Sequence, residues 1–146
     1  MDLDHPDLKD NIVAGYDFVN EDNVPDDDHG HGTHVAGIAA AITNNEVGIA
    51  GVAGSAKIMP VKVLSAEGSG TSLDVYLGIT YAVNNGADVI NMSLGSDAPS
   101  LLVKEAVEYA LQHNVVVVAA TGNDSRSEVS FPAAFDGVIG VGAVDY

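Results

Sequence analysis

The chemistry that this chain could perform is concentrated in nine residues, His29-Gly30-His31-Gly32-Thr33-His34-Val35-Ala36-Gly37, where three histidines are interleaved with glycine and followed by small residues. Glycine permits close backbone approach, and the small residues that follow predict a tightly packed helix over 31–41. A histidine in the first turn of a helix feels the positive end of the dipole, which disfavours imidazolium and leaves the ring free to accept a proton. His31 so placed suits a general base. Two other uses of the cluster stand beside that one: a structural histidine satisfied by backbone groups, and a metal centre built from His29, His31 and His34.

The remaining composition narrows the field. Twenty-one Asp plus Glu against five Lys plus Arg give a formal net charge of -16, a surface that repels nucleic acid. Clustered carboxylates have a sharper use in binding hard cations, and their positions must decide between that and solubility. With no cysteine, disulfides, thiolate zinc sites and cysteine nucleophiles fall away together, and the compartment stays open. The first ten residues are polar and acidic, so no signal peptide is expected there, and no apolar run approaches the ~20 residues that would span a bilayer.

The elements that must position these residues follow from the texture of the chain. Residues 1–30 are rich in Asp, Asn and Pro with short apolar patches at 12–14 and 16–19, which predicts loops around short strands. Nearly continuous apolar runs at 57–64, 88–93, 115–121 and 138–144 predict central parallel strands with both sheet faces covered. Helices are predicted over 31–41, 72–84 and 100–113, the last with Leu102, Ala106 and Tyr109 at helical spacing and Asn114 as its stop. Strand and helix alternate, so the expected fold is α/β, with sites at the carboxyl ends of the strands. No repeat, low-complexity stretch or linker divides the chain, and residues 1–146 are expected to be one domain, incomplete.

Taken in order, HGHGTHVAG (29–37), NNEVGIAGVAG (44–54), PVKVL (60–64), GSGTS (68–72), DVINMSLG (88–95), VVVVAATGND (115–124) and FPAAF (131–135) resemble the subtilisin-like serine proteases, thermitase-type members most closely. The resemblance covers nearly the whole chain. It implies a three-layer, doubly wound, mostly parallel sheet, and a parent endopeptidase, monomeric and exported, that attacks peptide bonds of a polypeptide substrate. Within it His31 matches the triad histidine, His34 a structural histidine, and Asn123 the asparagine whose amide stabilises the tetrahedral oxyanion; read alone, Asn123 after Gly122 is an ordinary turn residue. Ser93, Leu94 and Gly95 on one side, and Gly68, Ser69 and Gly70 on the other, match the two edges that hold an extended peptide by backbone hydrogen bonds. Gly122 belongs to the same substrate cleft, and Asp124 lies near the primary specificity pocket.

The same resemblance gives the acids a place. Asp7 and Asn45, with carbonyls near Val47 and Ile49, match a structural calcium site of oxygen ligands. Asp17, Asp22 and Asp26 with the Val24 carbonyl match a second, thermitase-type site, although Asn20 and Asp26 depart from the residue types expected there; a solvated acidic loop is the alternative.

The family pattern also breaks. A triad needs an acid and a nucleophile besides the base, yet the aspartate motif expected before Asp2-Leu3-Asp4-His5-Pro6-Asp7-Leu8 and the Gly-Thr-Ser-Met-Ala motif expected after residue 146 are not in this sequence. Gly70-Thr71-Ser72-Leu73 imitates the second motif, but it precedes Asn123 and aligns with a substrate-edge loop. The chain alone is therefore expected to be inactive, with a non-catalytic calcium-binding or interaction module and a metal-dependent hydrolase as the rival functions.

Overall fold

A computed structural model describes residues 1–125 and 127–144. The chain divides into two compact units, Met1–Asp74 and Val75–Tyr146, each with its own parallel sheet.

In the first unit, strand β1 (Tyr16–Asp17) pairs with β2 (Val61–Lys62), in register Tyr16↔Val61 and Asp17↔Lys62. An isolated bridge between Ile12 and Ile58 extends the pairing upstream. Helix α1 (His31–Ala40) buries Ala36 and Ala40, and its small side chains let it sit close to its neighbours. Ala36 joins Met1, Leu8 and Ala41 in the core of this unit, with Ile12 and Ile58 against it. Asn11, buried, donates its amide to the carbonyl of Ala40 (3.2 Å), one that the end of α1 leaves open, and to that of Gly54 (2.9 Å) in a turn.

In the second unit, β3 (Val89–Met92), β4 (Val116–Ala120) and β5 (Ile139–Val141) form a parallel sheet in that order. Helix α2 (Ser72–Asn84) begins at the end of the first unit and contributes Ile79 and Val83 to the core here. Helix α3 (Leu101–Gln112) buries Val103, Ala106, Val107 and Ala110, one stripe at helical spacing. Ser100 caps its start by accepting from the Val103 amide at 3.4 Å, and left-handed Asn114 follows its end. These helices cover the face of the sheet that presents Met92, Val117 and Ala119.

The helices match the sequence-based expectation to within a residue, whereas the strands are shorter. The run 57–64 yields only Val61–Lys62 as a ladder, because β1 offers only two residues to pair with it. The expectation of two covered faces is corrected in the second unit. Val89 and its partner Val116, with Ile139 and Val141 opposite Val118 and Ala120, share the other face of the sheet and are 43–57% exposed. Among the described residues no helix is long and apolar enough to cross a membrane.

Candidate functional site

The loop 26–30 and the first turn of α1 carry His31. Gly30 is the N-cap, held at φ 96°, a left-handed conformation that costs glycine nothing. Having no side chain, it cannot cap the helix, and Asp27 does so from three residues upstream. One Asp27 oxygen, Oδ1, accepts from the amides of His29 (3.0 Å) and Gly30 (2.7 Å); the other, Oδ2, accepts from the Thr33 amide (2.9 Å) and the Thr33 hydroxyl (2.5 Å). His31 is exposed, and the His29 ring stands edge-on to it with centroids 6.4 Å apart. His34, one turn on, is also exposed.

The Gly68-Ser69-Gly70 edge lies beside this loop. A Cβ on Gly68, which has φ 74°, would meet the His29 ring at 3.4 Å, so one predicted substrate edge lies against the histidine two residues before the predicted base. Just beyond, Thr71 and Asp74 form a reciprocal cap: the Asp74 carboxylate accepts from the Thr71 amide (3.1 Å) and hydroxyl (2.6 Å), and the Asp74 amide donates back to that hydroxyl (3.1 Å). The Gly70-Thr71-Ser72 string is thus a helix start, and Ser72 is the first residue of α2.

In the second unit the other predicted residues gather at the carboxyl ends of neighbouring strands, where parallel sheets place their sites. Ser93, Leu94 and Gly95 leave β3, and Thr121, Gly122 and Asn123 leave β4. Gly122 has φ 108°, and a Cβ there would lie 2.7 Å from the Ser130 hydroxyl, so position 122 requires glycine twice over. Asn123 and Asp124 are exposed. Ser130 and Phe131 tie the two strand ends together: Ser130 donates its amide to the Thr121 carbonyl (3.0 Å), and Phe131 and Ser96 exchange backbone bonds of 2.9 Å. Sequence reasoning passed over both residues, although FPAAF was among the motifs.

The acids separate into two cases. Asp7 is buried, its carboxylate accepting from the Asn45 side-chain amide (2.7 Å) and the Ile49 amide (3.0 Å). Left-handed Asn44, Glu46 and Gly48 wind the following loop around a concavity of about 220 Å³ that Asn45, Val47 and Ile49 help to line. Asp17 and Asp22 are joined by a pair of backbone bonds (2.9 and 3.1 Å), while the carboxylates of Asp17, Asp22 and Asp26 each accept from different donors. Asp17 is 1% exposed and accepts from Val19, Asn20 and the Lys62 ammonium at 3.1 Å; Asp22 accepts from the Val24 amide and Asp26 from that of Leu3. Among the described residues no three His, Cys, Asp or Glu side chains are placed to hold a metal ion jointly, a statement that covers both this acidic set and the histidine cluster.

Electrostatics follow the donors. The Asn45 amide, then the Ile49 amide, hold the Asp7 carboxyl below the usual carboxylate range. Burial opposes the ionised form of Asp17, but the Asn20 and Lys62 donors outweigh it, and its carboxyl is lowered as well. Burial likewise opposes Asp27, and the Thr33 hydroxyl with the Gly30, His29 and Thr33 amides outweighs it by far. All three native carboxyls sit below their unfolded values, so their stabilisation is complete above the unfolded range and is lost as the pH falls through the lower, native one. Thermal unfolding followed by circular dichroism is expected to show a flat midpoint above about pH 5 and a falling one below about pH 4. A midpoint that rose on acidification would contradict these assignments.

The subtilase family model matches residues 1–146. Thermophilic serine proteinase of Bacillus sp. (strain AK1) is 50% identical over 145 residues, covering 99% of this chain and 36% of that protein. Thermitase of Thermoactinomyces vulgaris is 48% identical over 141 residues, 97% of this chain and 50% of that one. Among solved structures, Sphericase superposes with a TM-score of 0.89 at 38% identity, over 95% of this chain and 49% of its own. The chain thus spans half or less of the length of these relatives.

Proposed function

The chain belongs to the subtilase family, a family of serine peptidases, and we propose from that membership that it supplies the general base and an oxyanion donor to an endopeptidase acting on polypeptides. The observation that supports the reading is the position of His31 in the first turn of α1, exposed, with the His29 ring next to it reaching the glycine-rich edge at Gly68. In this reading the imidazole of His31 takes the proton of a serine hydroxyl as its oxygen bonds to the peptide carbonyl carbon, and then returns that proton to the departing amine. Asn123 donates its side-chain N–H to the carbonyl oxygen as negative charge develops there. By the family resemblance, Ser93-Leu94-Gly95 and Gly68-Ser69-Gly70 are each read as an edge that bonds an extended peptide through its backbone, and Gly122, next to Asn123 in the chain, as a residue of the substrate cleft.

Asp7, Asn45 and the carbonyls of Val47 and Ile49 suit calcium in kind, as one carboxylate, one amide oxygen and two backbone oxygens; Asn45, Val47 and Ile49 line the concavity, and Asp7 is bonded to Asn45 and Ile49. Turning the Asn45 amide by half a rotation brings its oxygen toward Asp7 in place of its N–H. Bound there, the ion would brace the loop rather than take part in the reaction. The reading does not extend to Asp17, whose charge Lys62 already neutralises. Export of the longer protein is part of the same reading.

The nucleophile and the triad acid are assigned outside residues 1–146, so the isolated chain is inactive on this account. A fluorophosphonate probe, which labels activated serines, tests it. No label is expected on the 146-residue chain, and strong label on a protein that extends it through the missing motifs. Labelling of the short chain that disappears in Ser72→Ala would overturn the assignment.

A further inference from the structure

The loop that delivers His31 poses a problem of its own. Glycine flanks the histidine on both sides, at Gly30 and Gly32, and glycine gives the backbone the widest choice of conformations. A base, by contrast, must be held to a fraction of an ångström, since a misplacement of about 1 Å can cost about 10²-fold in rate. Something must remove the freedom that the glycines introduce.

The acidic run Asp26-Asp27-Asp28 contains the answer, because its three carboxylates do different things. Asp26 accepts from the Leu3 amide, and Asp28 pairs with Lys62 at 3.0 Å. Asp27 alone turns onto the loop. Its four hydrogen bonds reach residues 29 and 30 on one side of His31 and residue 33 on the other, so a single rigid carboxylate clasps both flanks of the histidine. The Thr33 hydroxyl that donates to it accepts in turn from the Asp2 amide at 2.7 Å, which anchors the clasp to the opening segment of the chain. We infer that Asp27 is a positioning residue for the general base, acting through the backbone of its loop. This rests on the reading of His31 as that base. Asp27 is not the triad acid in this scheme, since its bonds go to the backbone and to Thr33 rather than to the imidazole.

Asp27→Asn tests the inference with little change in shape. An asparagine keeps one acceptor oxygen and replaces the other with an N–H₂ that cannot accept, so one flank of His31 is released. In the active protease that contains this chain, Asp27→Asn is expected to lower kcat about 10- to 100-fold while KM stays within about threefold. Thr33→Ala should show a smaller loss of the same kind, and Thr33→Ser, which keeps the hydroxyl, should restore it. In the 146-residue chain, hydrogen exchange should quicken in Asp27→Asn on the released flank, at His29 and Gly30 or at Thr33, while the Ala41 amide, at the other end of α1, is unchanged. An unaltered kcat, a loss confined to KM, or unaltered exchange at those three amides would each overturn the inference. His31→Ala separates the two failures: if hydrolysis survives it, the base assignment falls, whereas if hydrolysis is lost there but intact in Asp27→Asn, only the positioning role falls.

Discussion

In the longer protease proposed above, His31→Ala is expected to cost about 10⁶-fold in kcat, the size of the effect in subtilisin, a member of the same family. The argument is one of proton accounting. A serine hydroxyl at neutral pH is a poor nucleophile, and without a neighbouring base the proton has nowhere to go as the new bond forms. KM should change little, because in the proposed reading the imidazole acts in the reaction and the glycine-rich edges in binding. The companion variant Asn123→Ala removes a donor that matters only once negative charge has developed, and a loss of about 10²- to 10³-fold in kcat is expected, again the subtilisin magnitude. Steady-state hydrolysis of a peptide anilide measures both. If His31→Ala retained more than a hundredth of the parent rate, His31 would not be the base.

The second large effect is on stability. Lys62 places its ammonium 3.1 Å from Asp17 and 3.0 Å from Asp28, with its side chain 8% exposed and that of Asp17 2% exposed. Burial disfavours the charged lysine, yet the two carboxylates outweigh it and raise its pKa above the ordinary value. Lys62→Met strips the charge and leaves Asp17 buried without a counterion, which is expected to destabilise the first unit by about 3–5 kcal/mol. Asp17→Asn in the same background should recover most of that, since the asparagine oxygen can still accept from the Val19 and Asn20 amides that now bond Oδ1. Urea unfolding of the two single variants and the double variant measures the coupling. A raised lysine pKa also sets an alkaline limit, with this stabilisation present below the unfolded lysine value and lost as the pH climbs through the higher native one. Additive effects in the cycle would remove the pair from the list of features that hold this unit together.

Much of this was legible in the residues before any coordinates. The spacing of Leu102, Ala106 and Tyr109, with Asn114 as a stop, predicts α3 to within a residue at each end, although of those three only Ala106 is buried and the face that packs is Val103, Ala106, Val107 and Ala110. Strand length was less legible, since a ladder extends only as far as its partner does and an apolar run such as 57–64 says nothing about the partner. The positions of His31 and Asn123 came from ordered motifs, not from periodicity. Asp27 stayed hidden in a run of three identical acids, which differ only in where their side chains turn. Lys62 was hidden for the opposite reason: a lysine inside an apolar strand reads as an exception until the buried carboxylates it faces are seen.

The bare aliphatic stripe on the second unit's sheet, Val89 and Val116 beside Ile139 and Val141, bears on how this polypeptide must be handled. Water gains entropy whenever such a stripe is hidden, and at high protein concentration the nearest hiding place is another molecule's stripe. Clarity of a concentrated solution therefore becomes a sensitive gauge of whether that face has found its proper cover, and mild detergent or dilution is the natural remedy when it has not.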